Sequence, residues 1–148
     1  MKKLLYIDLD GVIADFTSAM NTHELRTTPP YDEHPNTIPN IFRYLSPLPY
    51  SIQAVDTLLN SENFEVYFLS TAPWNIPSAW TDKRLWLEDH FGVRINRRLI
   101  LTHRKDLIRG DILIDDRPNN GADKFHGEWM QFGSVSFPDW QSILNYLL

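Results

Sequence analysis

The feature that most constrains this chain is a short apolar run that ends directly in acidic or hydroxyl residues, and it occurs three times. The occurrences are Leu4–Ile7 before Asp8-Leu9-Asp10-Gly11, Phe64–Leu69 before Ser70-Thr71, and Ile112–Ile114 before Asp115-Asp116. Such runs are typical of the buried strands of a parallel sheet. Ligands bind outside the carboxyl ends of strands in such sheets. We therefore expect the three polar clusters to meet at one site.

The segments between these runs have helical spacing. The predicted helices are Val12–Asn21, Ile52–Leu59, Ala79–Phe91 and Trp140–Leu147, with one helical turn at Lys105–Ile108 and further strands at Leu99–Leu101 and Trp129–Phe132. Strands that alternate with helices predict a three-layer α/β fold, with helices on both faces of a parallel sheet. The 148 residues predict a single domain that spans 1–148.

A proline-rich segment interrupts this pattern after the first strand. Six of the ten prolines lie between residues 22 and 49, where there is little apolar periodicity. Proline disfavours helix interiors and central strands, which predicts a loop with short helices. A loop of this length in a compact domain is usually functional. We expect residues 17–49 to form a small cap.

Composition excludes several function classes. The chain has no cysteine, which rules out disulfides, zinc–thiolate sites and cysteine nucleophiles. Its net charge of −5 disfavours binding to a nucleic acid polymer. No apolar run reaches the length of a membrane span, and Asp8 and Asp10 interrupt any signal-peptide core. These observations predict a cytoplasmic protein that does not bind membranes.

The acidic residues indicate a metal. Four carboxylates at one site (Asp8, Asp10, Asp115 and Asp116) repel one another unless a cation holds them, and an all-oxygen ligand set suits Mg²⁺. A lysine and a hydroxyl beside such a metal are suited to binding a phosphate group. The sequence therefore predicts a small-molecule phosphate ester as the ligand.

The order of these motifs is specific. Asp8-Leu9-Asp10-Gly11-Val12 resembles the DxDG[TV] motif of the haloacid dehalogenase-like (HAD) phosphatases, and Thr71 (or Ser70), Lys105 and Asp115-Asp116 follow in that superfamily's order. The resemblance implies that Asp8 is the nucleophile and Asp10 the general acid and base. It implies a HAD-like fold with a cap inserted after the first strand.

Further segments resemble the 5′(3′)-deoxyribonucleotidases of the cytosolic type C 5′-nucleotidase family. These segments are DLDGVIADF, LSPLP, LSTAP, WLEDHFG, LTHRK and DILIDDRP. The resemblance implies a Mg²⁺-dependent phosphatase that acts on deoxyribonucleoside monophosphates through an aspartyl-phosphate. The cap segment is shorter than in the animal enzymes, and Ala72 stands where they have serine. The resemblance therefore gives no base or sugar preference.

The same resemblance implies a metal-ligand set. Asp8 and Asp116 would bind Mg²⁺ through their side chains, and Asp10 would bind it through its backbone carbonyl. Asp115 would have a supporting role.

The remaining implied roles concern substrate. Thr71 and Lys105 would hold the phosphoryl oxygens, and Phe16 would stack on the base. Trp74, beside the site loop, is a further residue that could touch substrate.

Two other functions remain open from the sequence. One is a HAD phosphatase for another small ester, such as a sugar phosphate, which the short cap allows. The other is a receiver-like signalling domain, which also uses Asp, Thr or Ser, Lys and Mg²⁺. The receiver is disfavoured because no lone aspartate follows the strand Phe64–Leu69.

Overall fold

The computed structural model describes residues 1–148, which form one parallel sheet with four α-helices. The strands are β1 (Lys3–Ile7), β2 (Phe64–Ser70), β3 (Leu99–Leu101), β4 (Ile112–Asp115) and β5 (Glu128–Gln131). The helices are α1 (Phe16–Thr22), α2 (Ser51–Asn60), α3 (Pro77–Phe91) and α4 (Trp140–Leu147). Short 3₁₀ turns lie at Pro35–Thr37, Gly92–Ile95, Lys105–Leu107 and Asn119–Lys124. All strands are parallel, in the order β3-β2-β1-β4-β5, which confirms the predicted α/β class.

The two faces of the sheet are covered differently. Leu5 and Ile7 of β1 belong to a core cluster of 28 buried residues that includes the buried apolar residues of α2, α3 and α4. Tyr6, between them, belongs to a smaller cluster with Ala122 and Phe125, because successive strand side chains point to opposite faces. On that second face, 3₁₀ turns and loops stand where we expected α-helices.

Some predicted bounds were wrong at helix starts. The first helix begins at Phe16 instead of Val12, because the amides of residues 12–14 all bond to the Leu9 carbonyl in a tight turn. Asp15 then caps α1 by accepting a hydrogen bond from the Ser18 amide at 3.1 Å. Helix α3 begins at Pro77, before the predicted Ala79, because proline fits the first helical position.

The fifth strand is shifted by one residue from its predicted bounds. It covers Glu128–Gln131 instead of Trp129–Phe132, with Glu128 paired to Ile112 of β4.

Backbone hydrogen bonds join the two ends of the proline-rich segment. The Asp15 amide donates to the Ser46 carbonyl at 2.8 Å, and the Leu48 amide donates to the Ile13 carbonyl at 2.7 Å. The Trp86 indole of α3 donates to the Leu45 carbonyl at 2.8 Å. Four of the segment's apolar side chains are buried in the larger core, namely Ile38, Ile41, Phe42 and Leu45. The segment is thus anchored on the main body by both hydrogen bonds and apolar packing.

No helix of this protein combines the length and the apolar character that a membrane span requires.

Candidate active site

A small polar cavity of about 40 Å³ lies at the carboxyl ends of β1, β2 and β4. Six of its lining residues come from the predicted motifs: Asp8, Asp10, Ser70, Thr71, Lys105 and Asp115. None of its lining residues is hydrophobic. The parallel sheet brings these side chains together because it aligns the ends of strands that are distant in sequence.

Asp8 and Lys105 form the centre of this cavity. The Asp8 side chain is 10% exposed, and its Oδ1 lies 3.5 Å from the Lys105 Nζ. The Lys105 Nζ also donates to Asp115 Oδ2 at 2.5 Å. Burial lowers the pKa of Lys105, but the two carboxylates, Asp8 and Asp115, outweigh that effect and raise it. Lys105 is therefore a buried ammonium at neutral pH.

The carboxylates outnumber the cations around Lys105. Asp8, Asp115 and Asp116 each offer an oxygen, and these oxygens lie within 4.8 Å of one another. Burial, followed by repulsion from Asp8, raises the pKa of Asp116 to about 6, and the same two causes raise the pKa of Asp115. The cluster thus favours an added positive charge, whether a proton or a metal ion.

One oxygen of this cluster has no partner. Asp116 Oδ1 is buried without a hydrogen bond, whereas Asp115 accepts from Lys105 with Oδ2 and from the Arg117 amide with Oδ1, the latter at 3.2 Å. Buried polar atoms are normally satisfied, so the free Asp116 oxygen is a fitting ligand for a cation. An all-oxygen donor set of this kind suits a divalent metal. The Asp10 side chain lies outside the three-carboxylate group.

Asp10 is held by a lysine that the sequence analysis missed. The Lys83 side chain on α3 is only 1% exposed, and its Nζ lies 2.5 Å from Asp10 Oδ2. It also donates to the Ser70 Oγ at 3.3 Å and lies 4.5 Å from the centroid of the Phe42 ring. Burial raises the pKa of Asp10; Lys83 opposes this and Asp8 adds to it, and the pKa lies above its ordinary value.

The two hydroxyls at the carboxyl end of β2 have different partners. The Thr71 hydroxyl donates to the Thr102 carbonyl at 2.7 Å, so its single proton is engaged in this conformation. Ser70 is 1% exposed and accepts from Lys83. For Thr71 to donate to a phosphoryl oxygen, its hydroxyl must turn away from Thr102, a change that a charged acceptor favours over a neutral carbonyl.

Gly11 is required by its close approach to the Asp116 carboxylate. Its φ of +78° is a left-handed conformation, and an added Cβ would collide with the Asp116 carboxylate. Glycine alone relieves both constraints. The loop after β1 therefore lies directly against Asp116, the residue that follows β4.

A second, larger cavity adjoins the polar one and shares Asp10 and Thr71 with it. Its volume is about 350 Å³, and Phe16 lies on its wall. The Phe16 ring stacks on Phe42, with centroids 5.2 Å apart and planes 9° apart. Phe42 thus covers one face of the Phe16 ring, which lies on the cavity wall.

Two further aromatic residues, Trp74 and His103, line the larger cavity. Of these two, only Trp74 was predicted from the sequence as a residue that could touch substrate. His103 does pack, against Trp74 and Trp80, but it also reaches the cavity wall. Its position two residues before Lys105 was the signal that could have identified it.

Comparisons with known proteins identify one enzyme family. The family described as 5′ nucleotidase, deoxy (pyrimidine), cytosolic type C protein matches residues 30–137. A protein of Vibrio phage KVP40 named 5′(3′)-deoxyribonucleotidase is 42% identical over 146 residues, which is 99% of this chain and 85% of the phage protein. The mouse mitochondrial 5′(3′)-deoxyribonucleotidase is 32% identical over 90 residues, which is 61% of this chain and 41% of the mouse protein.

The structural comparison supports the fold alone. An L-2-haloacid dehalogenase from Xanthobacter autotrophicus superposes with a TM-score of 0.54 and 13% identity, over 92% of this chain and 79% of the dehalogenase. Its name indicates that the present fold is HAD-like, as predicted. The family match also removes the receiver-like alternative, because it identifies the chain as a nucleotidase. This chain therefore belongs to the cytosolic type C 5′-nucleotidase family and is a HAD-like phosphoric monoester hydrolase.

Proposed function

We propose that this protein is a Mg²⁺-dependent 5′(3′)-deoxyribonucleotidase that hydrolyses deoxyribonucleoside monophosphates through a phosphoryl group on Asp8. One observation carries the proposal. The buried Asp8 carboxylate faces the Lys105 ammonium in a polar cavity, and that cavity adjoins a larger one lined by aromatic rings. The names of the relatives support the same substrate class.

In the first step, a carboxylate oxygen of Asp8 forms a bond to phosphorus, and the bond between phosphorus and the nucleoside oxygen breaks. A carboxylate is ionised at neutral pH and needs no base to activate it. Asp10 gives its proton to the departing oxygen. Its raised pKa supports this role, because a carboxyl with an ordinary pKa is rarely protonated near pH 7.

In the second step, water attacks the phosphorus of the aspartyl-phosphate. Asp10, now ionised, takes a proton from this water, and the bond between phosphorus and the Asp8 oxygen breaks. Phosphate leaves and the Asp8 carboxylate is restored. Lys83 positions the Asp10 carboxyl at 2.5 Å and favours its ionised form, which suits proton uptake in the second step.

Binding of the phosphoryl group falls to Lys105 and Thr71. The Lys105 ammonium would stabilise the charge that develops on the phosphoryl oxygens, since a buried cation acts strongly in a site of low dielectric. The Thr71 hydroxyl would exchange the Thr102 carbonyl for a phosphoryl oxygen.

Asp8, Asp116 and the Asp10 backbone carbonyl would hold Mg²⁺, and Asp115 would support them through its bond to Lys105. When bound, Mg²⁺ supplies positive charge that polarises the phosphoryl group and neutralises the clustered carboxylates. The unpartnered Asp116 oxygen supports this ligand set.

The substrate is a small molecule in this proposal. The polar cavity of about 40 Å³ would take the phosphoryl group, and the adjoining cavity of about 350 Å³ lies within the range of small-ligand sites. The Phe16 ring on the wall of this cavity would stack on the base. A nucleic acid polymer is not the expected substrate for a chain with a net charge of −5. We also expect the protein to be cytoplasmic.

The test is phosphate release from a substrate panel in the presence of Mg²⁺. The panel contains deoxyribonucleoside and ribonucleoside monophosphates, sugar phosphates and p-nitrophenyl phosphate, and the Asp8→Asn variant is the control for contaminating phosphatase. We expect the highest kcat/KM for a deoxyribonucleoside monophosphate. A higher kcat/KM for a sugar phosphate would establish the alternative ester as the substrate instead.

A further inference from the structure

Trp74 is an exposed aromatic residue on the wall of the larger cavity. Its side chain is 75% exposed, although single exposed aromatics are common and carry no meaning alone. Trp74 differs because it lines the cavity of about 350 Å³ that also contains Asp10 and Thr71. It follows Thr71 closely on the loop between β2 and α3, so its ring lies in the cavity that adjoins the proposed phosphoryl site.

The Trp74 ring is supported by two neighbours that hold it at an angle. Trp80 lies 6.0 Å away at 76°, and His103 lies 6.1 Å away at 71°. Trp80 and His103 also contact each other at 5.9 Å. The Trp80 indole donates to the Pro73 carbonyl at 2.9 Å, which fixes the loop that carries Trp74. Neither neighbour lies parallel to the Trp74 ring, so neither stacks on its face.

The rest of the cavity wall has the chemistry that a nucleobase needs. Phe16 contributes a second ring, with one face covered by Phe42. Asn36 from the proline-rich segment and Asn120 also line the cavity, and each side-chain amide offers both a donor and an acceptor. Planar rings beside amide groups suit a ligand that is flat and carries polar edges. A sugar phosphate without a base offers no flat surface to these rings.

We infer that Trp74, supported by Trp80 and His103, is a second stacking surface for the nucleobase, in addition to Phe16. This inference rests on the proposed nucleotidase function and adds a second residue that distinguishes nucleotides from esters without a base. Stacking depends on the flat face of a base and tolerates any base. Trp74 therefore selects for the presence of a base rather than for its identity.

The experiment compares Trp74→Ala and Trp74→Phe with the wild-type protein. The substrates are a deoxyribonucleoside monophosphate and deoxyribose 5-phosphate, which differ only in the base. For Trp74→Ala, kcat/KM for the nucleotide falls by about fivefold to a hundredfold, and kcat/KM for deoxyribose 5-phosphate changes by less than about twofold. Trp74→Phe keeps a smaller ring and gives an intermediate loss. Tyr146→Ala is the control, since Tyr146 is an exposed aromatic, 56% accessible, in a cavity with Met1 and Lys3 at the opposite end of the sheet.

A second measurement keeps this inference separate from the proposed function. The same nucleotide is used as an inhibitor of p-nitrophenyl phosphate hydrolysis, and its inhibition constant rises in Trp74→Ala by the same factor. If the wild-type protein fails to hydrolyse nucleotides, the proposed function is refuted, but the inhibition constant still tests Trp74. Equal losses for both substrates, or an unchanged inhibition constant, would overturn the stacking role.

Discussion

Replacement of Lys83 by methionine would leave the Asp10 carboxylate without its buried partner. Lys83 is 1% exposed and Asp10 is 21% exposed, and their charged atoms lie 2.5 Å apart. Methionine keeps most of the apolar stem that packs near Phe42 and removes only the charge. The Lys83–Asp10 pair is therefore accessible to a clean double-mutant cycle.

The magnitude follows from the burial of each partner. Removal of one member of a buried pair costs about 3–5 kcal/mol. Water reaches Asp10 in part, so Lys83→Met should cost somewhat less, about 2–3 kcal/mol. Asp10→Asn leaves the fully buried ammonium alone and should cost the full 3–5 kcal/mol, roughly. The double variant removes both charges, and its loss should be smaller than the sum of the single losses by at least about 2 kcal/mol.

The assay is urea unfolding of all four proteins in the presence of EDTA, so that no bound metal contributes to stability. Arg84→Met is the matched control, because Arg84 is the next residue on α3, is 70% exposed and pairs only with Glu88. Its free energy of unfolding should change by no more than about 0.5 kcal/mol. Additive losses in the double variant would refute the claim that Lys83 and Asp10 form a coupled buried pair.

Three further predictions address metal, phosphate and base. We expect EDTA to abolish activity and Mg²⁺ to restore it. Asp116→Asn should raise the Mg²⁺ concentration required for activity more than Asp115→Asn does, because only Asp116 has an unpartnered oxygen. The reverse order would contradict the ligand assignment. Thr71→Val should lower kcat/KM by about tenfold to a hundredfold, because a hydrogen bond to a charged group contributes that much. Ser70→Ala should lower kcat/KM less. A larger loss in Ser70→Ala would assign the phosphoryl contact to the Ser70 hydroxyl instead. Phe16→Ala should lower kcat/KM for a nucleotide by about tenfold to a hundredfold and leave p-nitrophenyl phosphate hydrolysis nearly unchanged. Equal losses for the two substrates would mean that Phe16 supports the catalytic loop.

The strands could be predicted because buried parallel strands have a simple pattern. Leu5 and Ile7 are fully buried on one face and Leu113 on the other, so β1 and β4 appear as continuous apolar runs. Polar residues at the ends of these runs then had to meet at one edge of the sheet. The position of the site therefore followed from local sequence together with one rule of α/β architecture.

Lys83 could not be found in the same way, because a lysine in a charged helix is usually solvated. The sequence indicates its burial only through its position on the helix. Lys83 lies on the same face of α3 as the buried residues Ala79, Trp86 and Leu87. That position predicts burial, but the identity of the partner, Asp10, depends on tertiary packing across 73 residues.

The stack of Phe16 on Phe42 and the contact of Trp74 with His103 have the same origin. Each joins residues from separate loops, and loop conformation is weakly specified by local sequence when no turn pattern or periodicity is present. The chemical groups at strand ends were thus predictable, while the packing of the aromatic residues around the larger cavity was not.

The central claim is that Asp8 carries the phosphoryl group of a deoxyribonucleoside monophosphate, and protein-bound phosphate measures this directly. The protein is mixed with a nucleotide labelled in its phosphate and with Mg²⁺, quenched in acid, and digested to locate the label. We predict a hydroxylamine-labile label on Asp8 in the wild-type protein. In Asp8→Asn we predict no label and a loss of several orders of magnitude in turnover. Nucleotide turnover without any labelled protein, together with near-normal turnover in Asp8→Asn, would contradict the covalent mechanism.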